Sequence, residues 1–222
     1  MMSTLPPSSS NTGTGSDPAR AGPDQEAVVR GSVARDQPTP LVRRGVLDPH
    51  QWKLWLAGLV GSRYEGLCHF HVIEQGVLMR CGQPHVRDLE YIRAHYGLNT
   101  VVCARGGTRH PLRGRWFRKE WAYCAQMGIR LEHMPFSDSA TPPADVFEHF
   151  LAVLAQPERR PVLVHCEQGF HRTGLLCAAY RMRVRGWTLE RALEEMRMFG
   201  FDFDRDKRRP LLDALRAWAH KT

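Results

Sequence analysis

From His69 to His220 the chain alternates between short apolar runs and segments with helical spacing. His69–Glu74 and Val77–Arg80 read as two strands joined by a turn at Gln75-Gly76. In Val86–Tyr96, Leu89, Ile92, Arg93 and Tyr96 recur at helical intervals, and Gly97 supplies a stop. Thr100–Cys103 is rich in β-branched residues and predicts a buried strand. A polar Gly/Arg loop, Gly106–Gly114, leads to an aromatic-rich helix at Trp116–Met127, closed by Gly128. Arg130–Met134 reads as a strand and Pro135–Pro143 as a loop. Ala144–Leu154 follows as a helix, with Thr141 as the expected cap and proline in the first turn. A strand at 161–164, a loop at Cys166–Arg172 and a helix at 172–185 come next. Gly186-Trp187 turns the chain, Thr188 caps a helix to about Phe199, and Pro210–His220 forms the last. This alternation predicts an α/β fold with a mainly parallel central sheet flanked by helices on both faces. In such sheets ligands bind beyond the C-terminal ends of strands.

Composition changes the picture ahead of this region. Residues 1–46 are rich in Ser, Pro, Gly, Thr and Asp and lack aromatics, so they read as a disordered tail before a domain at 47–222. Its start carries neither the basic nor the apolar segment of a secretory signal, and its acidic residues argue against a transit peptide. Six cysteines without regular spacing read as reduced thiols, and the expected location is cytoplasmic. Trp52–Val60 is apolar but far shorter than the roughly 20 residues of a spanning helix. It reads as an amphipathic helix at the domain's edge, with a weak peripheral membrane contact as the alternative. The tail's charges balance, so the formal excess of +8 belongs to the folded part. That excess suits an anionic substrate. No nucleic-acid motif or aromatic-basic interleaving accompanies it, the Arg-rich helix faces read as solvated, and Arg205–Arg209 is basic but interrupted by Asp206. No CxxC pair or His cluster has zinc spacing, so neither a metal nor another cofactor is expected.

The chemistry concentrates in Arg160–Ala179. Pro161–Val164 is a buried strand, Gly169 lies mid-loop, and from Thr173 the pattern turns helical through Leu175, Leu176, Ala178, Ala179 and Met182. A loop ending at a helix N-terminus aims N–H groups and partial positive charge at one spot, which favours an anion. Cys166 stands at the rim of that spot and Arg172 closes it. A Cys followed six residues later by Arg also occurs at Cys81/Arg87, Cys103/Arg109, Cys124/Arg130 and Cys177/Arg183, so the spacing alone selects nothing. Cys103/Arg109 is the serious decoy, since it follows a strand and contains Gly106-Gly107. It then meets His110-Pro111 with no helix start. Only Cys166 has strand, glycine, arginine, hydroxyl residue and helix in order. A free thiol titrates near about 8.5, and the helix terminus, loop amides and Arg172 would lower that. Arginine's planar fork matches two phosphate oxygens at once. Thr173 can donate its hydroxyl to the sulfur. Gly169 permits the backbone turn, and His165 is expected to hold the loop through backbone hydrogen bonds.

His165-Cys166, then Arg172-Thr173-Gly174, closely resembles the signature of cysteine-dependent protein tyrosine and dual-specificity phosphatases, and is most similar to the compact, atypical bacterial type. Leu78–Pro84 is similar to the Tyr-Arg-Ser-Gly-Gln-Pro block of those enzymes, and Leu98–Arg105 to their Ile-Lys-Thr-Val-Ile-Asn-Leu-Arg block. The resemblance spans roughly Cys68–Phe201. It implies hydrolysis of a phosphate monoester, on a phosphorylated protein or a small phosphorylated molecule, through a phosphocysteine on Cys166. The amides from Glu167, Gln168, Gly169, Phe170, His171 and Arg172 would hold the phosphate. It also implies an acid on an upstream loop, for which Asp138 is the candidate and Asp145, in a helix first turn, the rival. Arg80 and Arg105 are candidates for pocket lining or for structural salt bridges. Members acting on highly phosphorylated inositols tend to carry basic residues where Glu167 stands, although an inositol or lipid phosphate stays open as substrate. Two other classes remain. A rhodanese-type sulfurtransferase also sets a Cys loop after a strand, and an inactive phosphate-binding module would keep the fold alone.

Overall fold

The computed structural model describes residues 69–107 and 114–221. Strands β1 (His71–Glu74) and β2 (Leu78–Cys81) form an antiparallel hairpin. The backbone at His69 takes a positive φ of 51°, so the strand begins two residues later than its apolar pattern suggests. Helix α1 (Val86–Tyr96) follows, then β3 (Thr100–Cys103), α2 (Arg115–Met127) and β4 (Arg130–His133). The second half consists of α3 (Val146–Ala155), β5 (Val162–His165), α4 (His171–Arg185), α5 (Leu189–Met198) and α6 (Arg209–Ala219). The five strands lie in the order β1-β2-β5-β3-β4, all parallel except β1. Interior strands β3 and β5 are buried at every residue, which is why they read as continuous β-branched runs. The edge strand β4 is not buried and carries Arg130, Glu132 and His133.

Side chains alternate across the sheet. Leu78, Val102, Val162 and Val164 enter one core, with α3, α4, α5 and α6 packed over it. Met79, Cys81, Val101 and Leu163 enter the other, beneath α1 and α2. Helices therefore cover both faces, as the alternation predicts.

Two local readings need correction. Helix α3 starts at Val146, not Ala144, and Thr141 is not its cap. A residue preceding proline is pushed out of the α region, and both Thr141 and Pro142 precede one. The first helical bond runs from His149 N–H to the Asp145 carbonyl at 2.8 Å, which puts Asp145 at the cap position and not within the first turn. Helix α4 is buried at every residue from His171 to Tyr180. It lies between the sheet and its neighbours α3, α5 and α6. Thr188 does cap α5, its hydroxyl accepting from Arg191 N–H at 3.3 Å. Residues 1–46, Trp52–Val60 and Arg109 lie outside the described residues.

Candidate active site

The loop between β5 and α4 is held from its outer side. The Glu167 carbonyl accepts from Gln83 N–H at 2.9 Å. The Gln168 carbonyl lies 2.9 Å from His69 Nδ1, which must donate because a carbonyl only accepts. The Gly169 carbonyl accepts from Arg80 Nη2. In a trans peptide the C=O and N–H point oppositely, so these contacts turn the N–H groups of Gln168, Gly169 and Phe170 inward. Gly169 N–H indeed donates to Cys166 Sγ at 3.2 Å. Gly169 has φ 80°, and a Cβ there would lie 2.7 Å from the Cys81 and Gly82 backbone. No other residue fits that turn.

Cys166 is buried, and burial opposes its ionisation. The Arg172 charge and hydrogen bonding from Thr173 and Gly169 outweigh it, holding the thiol below its ordinary range. Thr173 is fully buried, and its hydroxyl faces that sulfur outside strict hydrogen-bond geometry. Arg172 donates through Nη1 to the Ala104 and Phe136 carbonyls, each at 3.2 Å. Its Nε has no protein partner, although it is buried. His171 is held neutral at ordinary pH. Burial and then the Arg208 charge push it down to about 4. The Phe170 ring packs tilted against His69, with ring centroids 4.3 Å apart. Gln168 and Glu167 point to solvent.

His165 does more than bond to backbone. Its Nδ1 lies 3.2 Å from the Cys166 carbonyl, and its Nε2 lies 2.8 Å from Glu120 Oε1 on α2. Both ring nitrogens thus face acceptors. Burial disfavours a charged ring here, but Glu120 and then Cys103 overcome it and raise His165 well above its ordinary value. The decoy Cys103 therefore sits beside His165 on the neighbouring strand, where it supports the ring. Cys103, Glu120 and His165 are also the grouping among the described residues whose donor atoms, all within 4.8 Å, could hold a metal ion. The His165–Glu120 bond already joins two of the three.

Asp138 lies on the loop after β4, whose Phe136 carbonyl Arg172 holds. Burial would raise its carboxyl, but a hydrogen bond and charge from Arg208 hold it below the usual carboxylate value, helped by Arg172. Arg208 Nη1 is 2.6 Å from Asp138 Oδ2 and also donates to the Asp138 carbonyl. Asp145 is exposed at the start of α3. Arg105 pairs with Glu167 at 2.8 Å, donates to Gln83 Oε1 at 3.1 Å and stacks over Trp116 at 4.2 Å. Gln83 Nε2 reaches back to Glu120 Oε2 at 3.4 Å. A chain of contacts therefore links the rim, Glu167, to the buried His165.

The residue pattern alone assigns no role in the site to Glu120, His69, Gln83 or Arg208. Gln83 carried a signal through its conspicuous block. Arg208 did not: it sits in a stretch that reads only as basic, yet it is 3% exposed, with its Nη1 on Asp138.

Comparison with known proteins agrees with this geometry. Residues 70–209 match the family described as a DSP-PTPase phosphatase fused to NAD+ kinase. The chain belongs to this family of dual-specificity-type phosphatase domains. It is 37% identical over 87 residues to the dual specificity protein phosphatase TpbA of Pseudomonas aeruginosa, covering 39% of this chain and 40% of TpbA. It is 42% identical over 130 residues to the inositol diphosphatase DSP3 of Arabidopsis thaliana, covering 57% of this chain and 60% of that protein. The crystal structure of TpbA superposes with a TM-score of 0.52 at 25% identity, over 69% of this chain and 91% of that one. The catalytic core of the PP-IP phosphatase SIW14 of Saccharomyces cerevisiae, bound to citrate, gives 0.53 at 22% identity over 69% and 91% and shares the fold. No helix among the described residues is long and apolar enough to cross a membrane.

Proposed function

We propose that the chain hydrolyses phosphate monoesters, phosphotyrosine foremost and phosphoserine or phosphothreonine besides, through a phosphocysteine intermediate. The observation that carries this reading is the buried Cys166 thiol, held toward its thiolate at the mouth of a loop whose amides turn inward. The thiolate attacks phosphorus and the P–O bond to the leaving group breaks. Arg172 and the loop amides stabilise the equatorial oxygens, a preorganised electrostatic site. The partnerless Arg172 Nε fits an oxyanion that would complete its bonding. Asp138 supplies the proton to the leaving oxygen, then accepts one from the water that cleaves the S–P bond and releases phosphate. Thr173 eases the sulfur's departure as thiolate. The residues described ask for no cofactor in these steps.

The catalytic domain takes residues 47–222, with 1–46 as an appended tail, and the five buried free thiols among the described residues suit a reducing, cytoplasmic setting. Inositol diphosphates are the second reading, since DSP3 carries that name. Against it, the Glu167 carboxylate already neutralises Arg105 at the rim and would repel a second phosphate.

The test is turnover of a phosphopeptide and inositol-diphosphate panel by the wild-type chain and by Cys166→Ser. The variant should lose all turnover yet still bind phosphotyrosine peptide, and orthovanadate should inhibit the wild type while EDTA does not. Substantial activity in Cys166→Ser would refute the mechanism, and preference for inositol diphosphates would refute the substrate class.

A further inference from the structure

Arg80 is 1% exposed, in the interior of the sheet near the C-terminal end of β2. Arginine stays protonated under any ordinary condition. A buried charge is costly unless something compensates it. Among the described residues no carboxylate forms an ion pair with Arg80, unlike the buried Arg208, which faces Asp138. Its surroundings offer a Phe199 ring 4.3 Å from the guanidinium carbon and the Gly169 carbonyl. Its Nε has no partner. The nearby His71 is kept neutral, pushed down to about 4 by burial and then by Arg80 itself, so no second cation stacks against it.

We infer that Arg80 is a positioning residue for the anion loop: its guanidinium holds the Gly169 carbonyl outward and sets an uncompensated positive charge behind the phosphate site. The inference rests on the phosphatase reading and adds a residue to it. Two effects combine in one side chain. Holding the carbonyl fixes the following peptide, so that Phe170 N–H faces the anion. The charge lies on the far side of the loop from the substrate. There it strengthens the pull on a phosphate dianion without competing for its oxygens. Arg80 never touches the substrate in this arrangement, and the counter-charge missing from its own surroundings arrives with the bound anion.

The two effects separate in two variants of the full chain. Arg80→Met removes both charge and donors. Arg80→Lys keeps the charge but replaces the planar fork with a point donor on a flexible stem. In Arg80→Met, kcat/KM and orthovanadate affinity should each fall about ten- to a hundred-fold, the scale set by outer partners that orient metal ligands. The pH midpoint for alkylation of Cys166 by neutral iodoacetamide should rise. In Arg80→Lys that midpoint should return to near the wild-type value, while vanadate affinity stays reduced. A purely structural role would lower thermal stability without moving midpoint and affinity apart. A folded Arg80→Met with wild-type vanadate affinity and midpoint overturns the inference. Should Arg80→Met not fold, Arg80→Lys decides: wild-type vanadate affinity in that variant also overturns it. Failure of the wild type itself to hydrolyse phosphoesters or bind vanadate would instead strike the phosphatase reading, since the alkylation midpoints report on Arg80 without turnover.

Discussion

At the scale of single residues, the informative pair is Asp138 and Arg208. A general acid must be protonated when the leaving group departs, yet Arg208 holds the Asp138 carboxyl low. The protonated fraction therefore falls away at acidic pH, and the high-pH limb of kcat/KM should lie below neutrality. Removing the Arg208 charge raises that carboxyl toward its ordinary value. Arg208→Gln should thus shift the limb to higher pH, read from rate profiles on a phosphopeptide, and an unmoved limb would separate Asp138 from proton transfer. Asp138→Asn should slow phosphopeptide hydrolysis about 10²–10⁴-fold, the usual contribution of a positioned acid. On a nitrophenyl phosphate, whose leaving group departs with little help, the loss should be clearly smaller. Equal losses on both substrates would mean that Asp138 only shapes its loop. Asp145→Asn, at an exposed helix cap, should leave both rates near wild type.

At the scale of elements, what was legible followed sequence distance. Strand β5, its loop and α4 are contiguous, so period, glycine and arginine sufficed to select Cys166 over four other cysteines with the same spacing. What Asp138 meets could not be read this way, because Arg208 is 70 residues away and lies in a stretch that looks merely basic. Glu120 was hidden for a similar reason: a Glu on an Arg- and Lys-bearing helix reads as solvated until the packing puts it against β5. The prolines at Pro142 and Pro143 misled in the other direction, since proline marks a helix start only where the residue before it is free to leave the helix. Glycines sort by the same logic. Gly169→Ala would push a Cβ into backbone 2.7 Å away in a left-handed conformation, and should abolish most activity while circular dichroism stays native. Gly186→Ala meets the same kind of φ, 63°, but open space. It should cost about 1–2 kcal/mol of stability, seen in urea unfolding, with turnover per folded molecule unchanged.

At the scale of the whole molecule, the buried His165–Glu120 bond ties the covering helix α2 to the central strand. His165 is raised above its ordinary 6.5, so its protonation favours the folded state. That contribution is complete below pH 6.5 and is lost as pH rises through the folded value. Stability should therefore decline on the alkaline side, measured by urea unfolding across a pH series. Glu120→Gln removes the counter-charge and should flatten that decline, whereas an unaltered slope would assign it to other groups. The hairpin that grips the anion loop has a further consequence, for the order of events in folding. His69 and Arg80 meet the loop across 99 and 89 residues of chain. Such long closures form late and carry no local support until the rest is in place. The catalytic pocket is then expected to come apart early, because β1, which follows His69, is an edge strand with a neighbour on one side only. Activity should vanish at lower urea than the helical signal does, with Cys166 losing its selective reactivity in step. Over that interval the protein would be folded, recognisable and silent.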